Sequence, residues 1–487
     1  MSDYDVIVLG GGSAGTSAAR AATLAGARTL VINDGELGGL CILRGCMPTK
    51  ALLASAHALD ETRHLDGFGV RLEGRAVPDF ARIMERREAL VRRFQRAKIS
   101  SVESQDYEVL FGRGRFAVGG GIDVDGRRLT ADRYVIATGS VPASIPIPGV
   151  EDVPVITSDD VMRLESQPRS LVVQGAGPIG LELAQFFARI GTRVLLVNRS
   201  PLLSHSDLEC GEELRRALLD EPNFELAVPG KIEQLRPNGE GLVASVRRGD
   251  QNTIEFEADA LLMATGRWAS LDDLGLEHVG IVPQGRILEH DATMRTSNPS
   301  VYVAGDATGS YQVLHLSNQE GSVAGHNAAG REPPQQMDYR LNMAVIFTDP
   351  PYATVGLSQT TATREGRDVV VGRAVFPETG RAVTMNARHG LWKMLADRST
   401  GEILGSSILG PRADDLIHLI SMAMHHRSTA AEICALPWYH PTLSEVILNV
   451  GRDIAGQLEI DCTVPGAETL PPGHSPTMRR PRRGGND

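Results

Sequence analysis

The chain has 487 residues, 42% of them hydrophobic and 22% charged, with a net charge of −11 at neutral pH. That length exceeds one ordinary core and predicts about three or four domains, while the acidic balance argues against a nucleic-acid-binding surface as the main function. No run of about 18 apolar residues is present, which argues against a membrane span, and five cysteines in so long a chain make no disulfide framework but fit a reducing compartment such as the cytoplasm.

The first residues, MSDYDVIVLG, enter a strand with no basic region ahead of it, so no secretory signal is expected. Tyr4 to Leu9 is an apolar run followed by Gly10, Gly11, Gly12, Ser13, Ala14 and Gly15, a GxGxxG that opens an alanine-rich helix. This setting predicts a dinucleotide fold in which Gly10, Gly12 and Gly15 let the backbone turn and approach a pyrophosphate at the helix N-terminus. The next strand, Thr29 to Ile32, ends in Asn33 and Asp34 at the place where a carboxylate ordinarily binds a ribose. Asn33 can still accept a hydrogen bond from a ribose hydroxyl, and Asp34 is its neighbour.

Gly38 to Lys50 reads GGLCILRGCMPTK. Pro48 signals a helix start, which puts Cys46 near the partially positive end of a helix, where a thiolate is favoured. Cys41 lies further into the loop, within easier reach of a substrate. Taken alone, the pair also fits half of a metal site, a structural disulfide or two unrelated thiols; its position after a strand-helix-strand unit favours redox chemistry. Ala51 to Leu59 continues the helix. Asp79 to Ala97 reads as another, with Phe80, Ile83, Met84, Val91 and Phe94 near helical spacing. The arginines around them form a solvated face or a docking face for an acidic partner. Gly112 to Thr130 reads as a small hairpin.

The pattern restarts at Ser170 to Gln174, followed by Gly175, Gly177 and Gly180. Two such sites call for two cofactors, or for a cofactor and a substrate nucleotide. The strand Arg193 to Val197 ends in Asn198 and Arg199; a missing carboxylate and an added arginine tilt this site toward NADPH. Near the C-terminus His440 precedes Glu445 in WYHPTLSE. An imidazole can remove and return protons near pH 7, as thiol-disulfide exchange requires, and a carboxylate on its other nitrogen fixes its tautomer. Cys210, Cys434 and Cys462 read as inert thiols. No metal site is expected, and Val464 to Asp487, rich in Pro, Gly and Arg, reads as a flexible tail.

The Gly38–Lys50 string resembles the active-site segment of the flavoprotein (pyridine nucleotide) disulfide oxidoreductases, close to GGTCxNxGCxPSK. It departs from that segment at Leu40, Ile42, Leu43, Arg44 and Thr49. Further strings are similar to the family's: the ATG strands ending in Thr138-Gly139 and in Gly266-Arg267, Val301 to Asp306, His315 with Glu320 and Gly321, the run from Met343 to Ser358, and HPTLSE. The resemblance implies an α/β fold with two Rossmann-like domains and an α+β C-terminal dimerisation domain. Its boundaries are an FAD domain over 1–150 completed by 267–335, a nicotinamide-nucleotide domain over 151–266, an interface domain over 336–462 and a tail over 463–487.

It further implies that Cys41 exchanges with substrate, that Cys46 faces the flavin and that Glu182, otherwise a plain helix-surface residue, pairs with Lys50 beside it. Thr138, Gly139, Gly266 and Arg267 are then cofactor-binding, Asp306 binds the ribityl chain and His315 lies at the flavin's pyrimidine end. His440, with Glu445, serves the cysteines of the other subunit, which makes the protein a homodimer. His315, Glu320 and HPTLSE are similar to dihydrolipoamide dehydrogenases, which implies a lipoyl dithiol, free or on a lipoyl domain, and NAD. Asn198 and Arg199 instead suit an NADPH-dependent reductase of a small disulfide such as glutathione. The intact Cys and His-Glu pairs argue against a non-catalytic flavin sensor or complex subunit.

Overall fold

The strand Tyr4–Leu9 buries Val6, Ile7, Val8 and Leu9 on both faces, the pattern of a parallel strand covered by helices. In the computed structural model, which describes residues 2–249 and 251–460, it is the centre of a five-stranded sheet in the order Val301–Val303, Ala131–Ile136, Tyr4–Leu9, Thr29–Asn33 and Glu108–Phe111. All neighbours are parallel, with Ile7 opposite both Leu30 and Tyr134. Val301–Val303 arrives from far along the chain, so this unit closes only after the next has been built. Its helices Ser13–Leu24 and Leu314–Ala328 pack very closely. A Cβ on Gly321 or Gly325 would stand 2.2 or 2.0 Å from the carbonyl oxygens of Ala14 and Ala18.

A second five-stranded parallel sheet repeats the plan in the order Phe224–Ala227, Arg193–Val197, Ser170–Gln174, Ala260–Met263 and Val155–Thr157. Each unit also carries a three-stranded antiparallel sheet. In the first these are Gly114–Phe116, Ile122–Val124 and Arg127–Leu129, so the expected hairpin has a third strand. Asp125 and Gly126, at φ 52° and 83° between the paired Val124 and Arg127, form the turn that adds it. The paired strands Ser140–Pro142 and Arg267–Ala269 stand where the chain leaves the first unit and re-enters it.

The third unit is an antiparallel sheet, Met343–Ile346, Tyr352–Gly356, Ile403–Leu409, Leu391–Asp397 and Val369–Val375 in spatial order. It is covered by Ala413–His425, Ala430–Ala435 and Val446–Leu458 around Phe376, Trp392, Ile417 and Val450. One hydrophobic cluster joins all three units, with Leu52, Phe187 and Leu409 among its buried members. No helix among the described residues is long and apolar enough to cross a membrane. Cys462 and the 463–487 tail lie outside the described residues.

Candidate redox-active site

Cys46 is the first residue of the helix Cys46–Glu61, and Cys41 sits in the one-turn helix Gly39–Leu43. The backbone N–H groups of Arg44 and Gly45 both donate to the Leu40 carbonyl, at 3.0 and 2.7 Å, folding the loop back on itself. The two cysteines stand as thiols in hydrogen-bond contact. The hydrogen bond from Cys41 brings Cys46 down to about 7, aided by the Lys50 charge and opposed by burial. That same bond, with burial, pushes Cys41 far above the ordinary thiol range. Of the two, Cys46 is therefore the sulfur that gives up its proton first and Cys41 the one that keeps it.

One turn further along, Lys50 Nζ donates to Glu182 Oε2 at 2.8 Å. Glu182, 4% exposed, comes from the second unit's helix Pro178–Arg189. Its other oxygen accepts the Phe347 N–H at 3.0 Å, and the Lys50 ammonium lies 4.4 Å from the Phe347 ring centre. All three units thus meet beside the Cys46 helix.

The Gly-rich loop of the first unit floors a cleft of about 740 Å³ walled by Leu40, Leu43, Arg87, Val91 and Thr138. Gly10 holds φ +107°, and a Cβ there would come within 2.3 Å of the Ala137 carbonyl oxygen, so only glycine fits. The helix Ser13–Leu24 has neither a side-chain cap nor an acid in its first turn, leaving its N–H groups free for an anion. Among the described residues, buried Nε of Arg87 and Nε2 of His315 have no hydrogen-bond partner. These features fit a flavin dinucleotide whose diphosphate lies on the loop. At the cleft's other end Ser140 Oγ donates to Asp306 at 2.5 Å, and burial pushes the Asp306 carboxyl up.

Asn33 is tied into the first unit's own loop: its Oδ1 accepts the Gly11 N–H at 2.9 Å and its Nδ2 donates to the Gly35 carbonyl at 2.8 Å. Asp34 beside it is exposed at the cleft edge. The second unit repeats this, with Gly175 also at φ +107°, Asn198 Oδ1 accepting from Ala176 at 3.3 Å and Asn198 Nδ2 donating to the Ser200 carbonyl at 2.7 Å. Each asparagine ties its own fingerprint loop to its own strand. Arg199 is exposed. Arg267 is buried: its guanidinium donates to Ser140 Oγ and O, both at 2.9 Å, and pairs with Asp159 at 3.5 Å. Its side chain therefore supports the Ser140–Asp306 contact.

His440 Nδ1 lies 2.9 Å from Glu445 Oε2. A carboxylate only accepts, so in the neutral ring Nδ1 carries the proton and Nε2 has the lone pair. The ring is 75% exposed. No hydrogen bond or ion pair joins it to either cysteine among the described residues, so one chain by itself does not bring the two pairs together. No cluster able to hold a metal ion occurs among the described residues.

Two further residues shape the site: Glu320, which the sequence offered only as part of a family-like string, and Arg189, which it did not single out. Glu320, fully buried, accepts from the Gly305 N–H at 2.7 Å and from the Tyr339 hydroxyl at 2.9 Å; burial pushes it up to about 7. Arg189, 7% exposed, binds Asp60, Glu221 and Asp349. The available signal for Arg189 was the lone basic residue of a helix that is apolar apart from Glu182 and Gln185.

Residues 4–321 match the pyridine nucleotide-disulphide oxidoreductase family, and residues 343–450 match that family's dimerisation domain. The chain is 32% identical to a dihydrolipoyl dehydrogenase of Thermus scotoductus over 464 residues, 94% of this chain and 98% of the relative. It is 30% identical to one of Bacillus subtilis over 461 residues, 91% and 96% of the two. Among solved structures, the HOCl-induced flavoprotein disulfide reductase RclA from Escherichia coli superposes with a TM-score of 0.80 at 25% identity, covering 92% of this chain and 99% of that one. Similarity that runs through both cleft-forming units, the cysteine loop and the C-terminal sheet goes beyond a shared dinucleotide fold, and the chain belongs to the pyridine nucleotide-disulphide oxidoreductases, FAD-dependent enzymes acting on sulfur groups with a dimerisation domain.

Proposed function

We propose that the chain oxidises a dithiol of the dihydrolipoyl class at Cys41 and Cys46 and passes the electrons to a nicotinamide nucleotide. The observation that carries this reading is the placement of the cysteine pair, with Cys46 at a helix start one turn before the Glu182-anchored Lys50 and Cys41 in hydrogen-bond contact with it from the preceding loop. From the oxidised pair, a substrate thiolate attacks Cys41, the S–S bond breaks and Cys46 leaves as a thiolate stabilised by Lys50 and its helix end. The second substrate sulfur then displaces Cys41 from the mixed disulfide, closing the substrate's own disulfide.

His440 Nε2, on a second copy of the chain, takes the proton of the attacking thiol and returns it to Cys41, while Glu445 holds the ring. Lys50, fixed by Glu182, sets the charge beside the Cys46 sulfur. Thr138, Gly139, Asp306 and the Gly10–Gly12 loop would hold FAD, which when bound supplies a two-electron carrier between the dithiol and the nicotinamide. Gly175, Gly177, Gly180 and the Asn198–Arg199 corner would hold the nicotinamide nucleotide.

A second reading, an NADPH-driven reductase of a small disulfide, is favoured by the exposed Arg199 and the absence of an acid at Asn198. Two assays on the purified flavoprotein separate them: dihydrolipoamide with NAD⁺ or NADP⁺, and glutathione disulfide or lipoamide with NADPH or NADH. Rapid NAD⁺ reduction by dihydrolipoamide is the expected result. Turnover confined to NADPH with glutathione disulfide would replace the first reading by the second.

A further inference from the structure

We propose that Arg87 is a phosphate-binding residue of the first cleft, gripping the diphosphate of the flavin dinucleotide from the side opposite the glycine-rich loop; this rests on the FAD reading above. Arg87 lies in the helix Phe80–Glu103, and Arg87, Val91 and Gln95, at intervals of four, present one face of that helix to the cleft. Its guanidinium makes no hydrogen bond and no ion pair among the described residues, and its Nε is sealed from solvent. A half-buried guanidinium whose Nε has no partner remains charged, so such a position is costly until an anion arrives.

The other arginines of the cleft are accounted for. Arg44 pairs with Asp159 at 3.5 Å, Arg92 with Glu88 at 2.6 Å and Arg113 with Asp273 at 3.3 Å, while Arg163 is exposed. The rest of the wall offers little to a phosphate. Leu40 and Leu43, from the cysteine loop, have no polar atoms in their side chains, and the Asn33 amide is already bonded to Gly11 and Gly35. The uncapped helix Ser13–Leu24 and the Arg87 fork therefore provide the donors for a diphosphate, and a planar guanidinium binds phosphate oxygens in pairs.

The test uses wild type, Arg87→Lys and Arg87→Met, each purified with its flavin and then stripped of it. FAD affinity is measured by flavin fluorescence at two salt concentrations, with ADP and adenosine as competitors, beside circular dichroism of the stripped proteins. Arg87→Met is expected to weaken FAD binding about tenfold or more, to flatten its salt dependence and to narrow the advantage of ADP over adenosine, with Arg87→Lys between. Wild-type affinity and salt response in Arg87→Met would overturn the assignment, as would equal weakening of ADP and adenosine. A wild type that binds no FAD would instead remove the flavin reading and this inference with it.

Discussion

Cys46 carries the negative charge of the pair because a hydrogen bond from Cys41, the Lys50 ammonium and the backbone N–H at the helix start all converge on its sulfur. Burial and Glu182 oppose them and lose. Thiolate absorbance of the reduced protein should therefore titrate near pH 7. Lys50→Met, which deletes the nearby cation, should move the midpoint upward, and Cys46→Ser should erase the transition; a midpoint unmoved by Lys50→Met would detach the lysine from the thiolate. The residue types were legible in the sequence, since Pro48 marks the helix start and so places Cys46 at its end. The preference for a thiolate at Cys46 was legible there too; the hydrogen bond from Cys41 that contributes most to it was not, because it needs the loop folded back so that the two sulfurs meet. Asn33 and Asn198 teach the same lesson, for the bonds each makes to its own fingerprint loop and following turn cannot be read from the sequence.

Two helices, Cys46–Glu61 and Pro178–Arg189, run side by side in the same direction and meet twice. Lys50 faces Glu182, and seven residues on in each helix His57 faces Arg189 at 3.4 Å. Seven residues is about two turns, so both contacts fall on one face. The segment from Phe347 to Asp349 lies along this seam, donating to Glu182 and exchanging hydrogen bonds with Gln185 at 2.8 and 2.9 Å. Burial would raise the Asp349 carboxyl, but His57 and Arg189 hold it down at about 2. Its share of the stability is present above the usual carboxylate range and is lost only as pH falls toward 2.

Arg189 is surrounded by Asp60, Glu221 and Asp349, so Arg189→Met would strand buried carboxylates. It should cost about 3–5 kcal/mol, read as a lower denaturant midpoint, and by loosening the seam it should raise the Cys46 titration as well. Stability unchanged in Arg189→Met would show that the cluster does not hold the helices in register.

At the scale of the molecule, the cysteines and His440 lie at separate places on one chain, each with its own supporting partner. The exposed ring of His440 and its equally exposed neighbour Tyr439, 83% accessible, suit a surface that meets a second copy. Mixing Cys46→Ser with His440→Ala protein under conditions of subunit exchange should restore dithiol oxidation, because one site of the mixed dimer then has both an intact cysteine pair and an intact histidine. Two inactive parents that stay inactive after exchange would place the histidine on the same chain as its cysteines.

By itself the sequence determined what is local: two strand-glycine-helix units, a cysteine pair at a helix start, and a histidine with a carboxylate at a spacing that lets them bond. Those are matters of period, turn chemistry and spacing, which neighbouring residues settle among themselves. Tertiary structure alone decided how distant segments share a site: the return of Val301–Val303 to the first sheet, the arginine cluster where three units meet, and the unpaired guanidinium of Arg87. Their physical basis is the packing of surfaces far apart in the chain, where burial removes water and leaves each charge dependent on whatever partner the fold delivers.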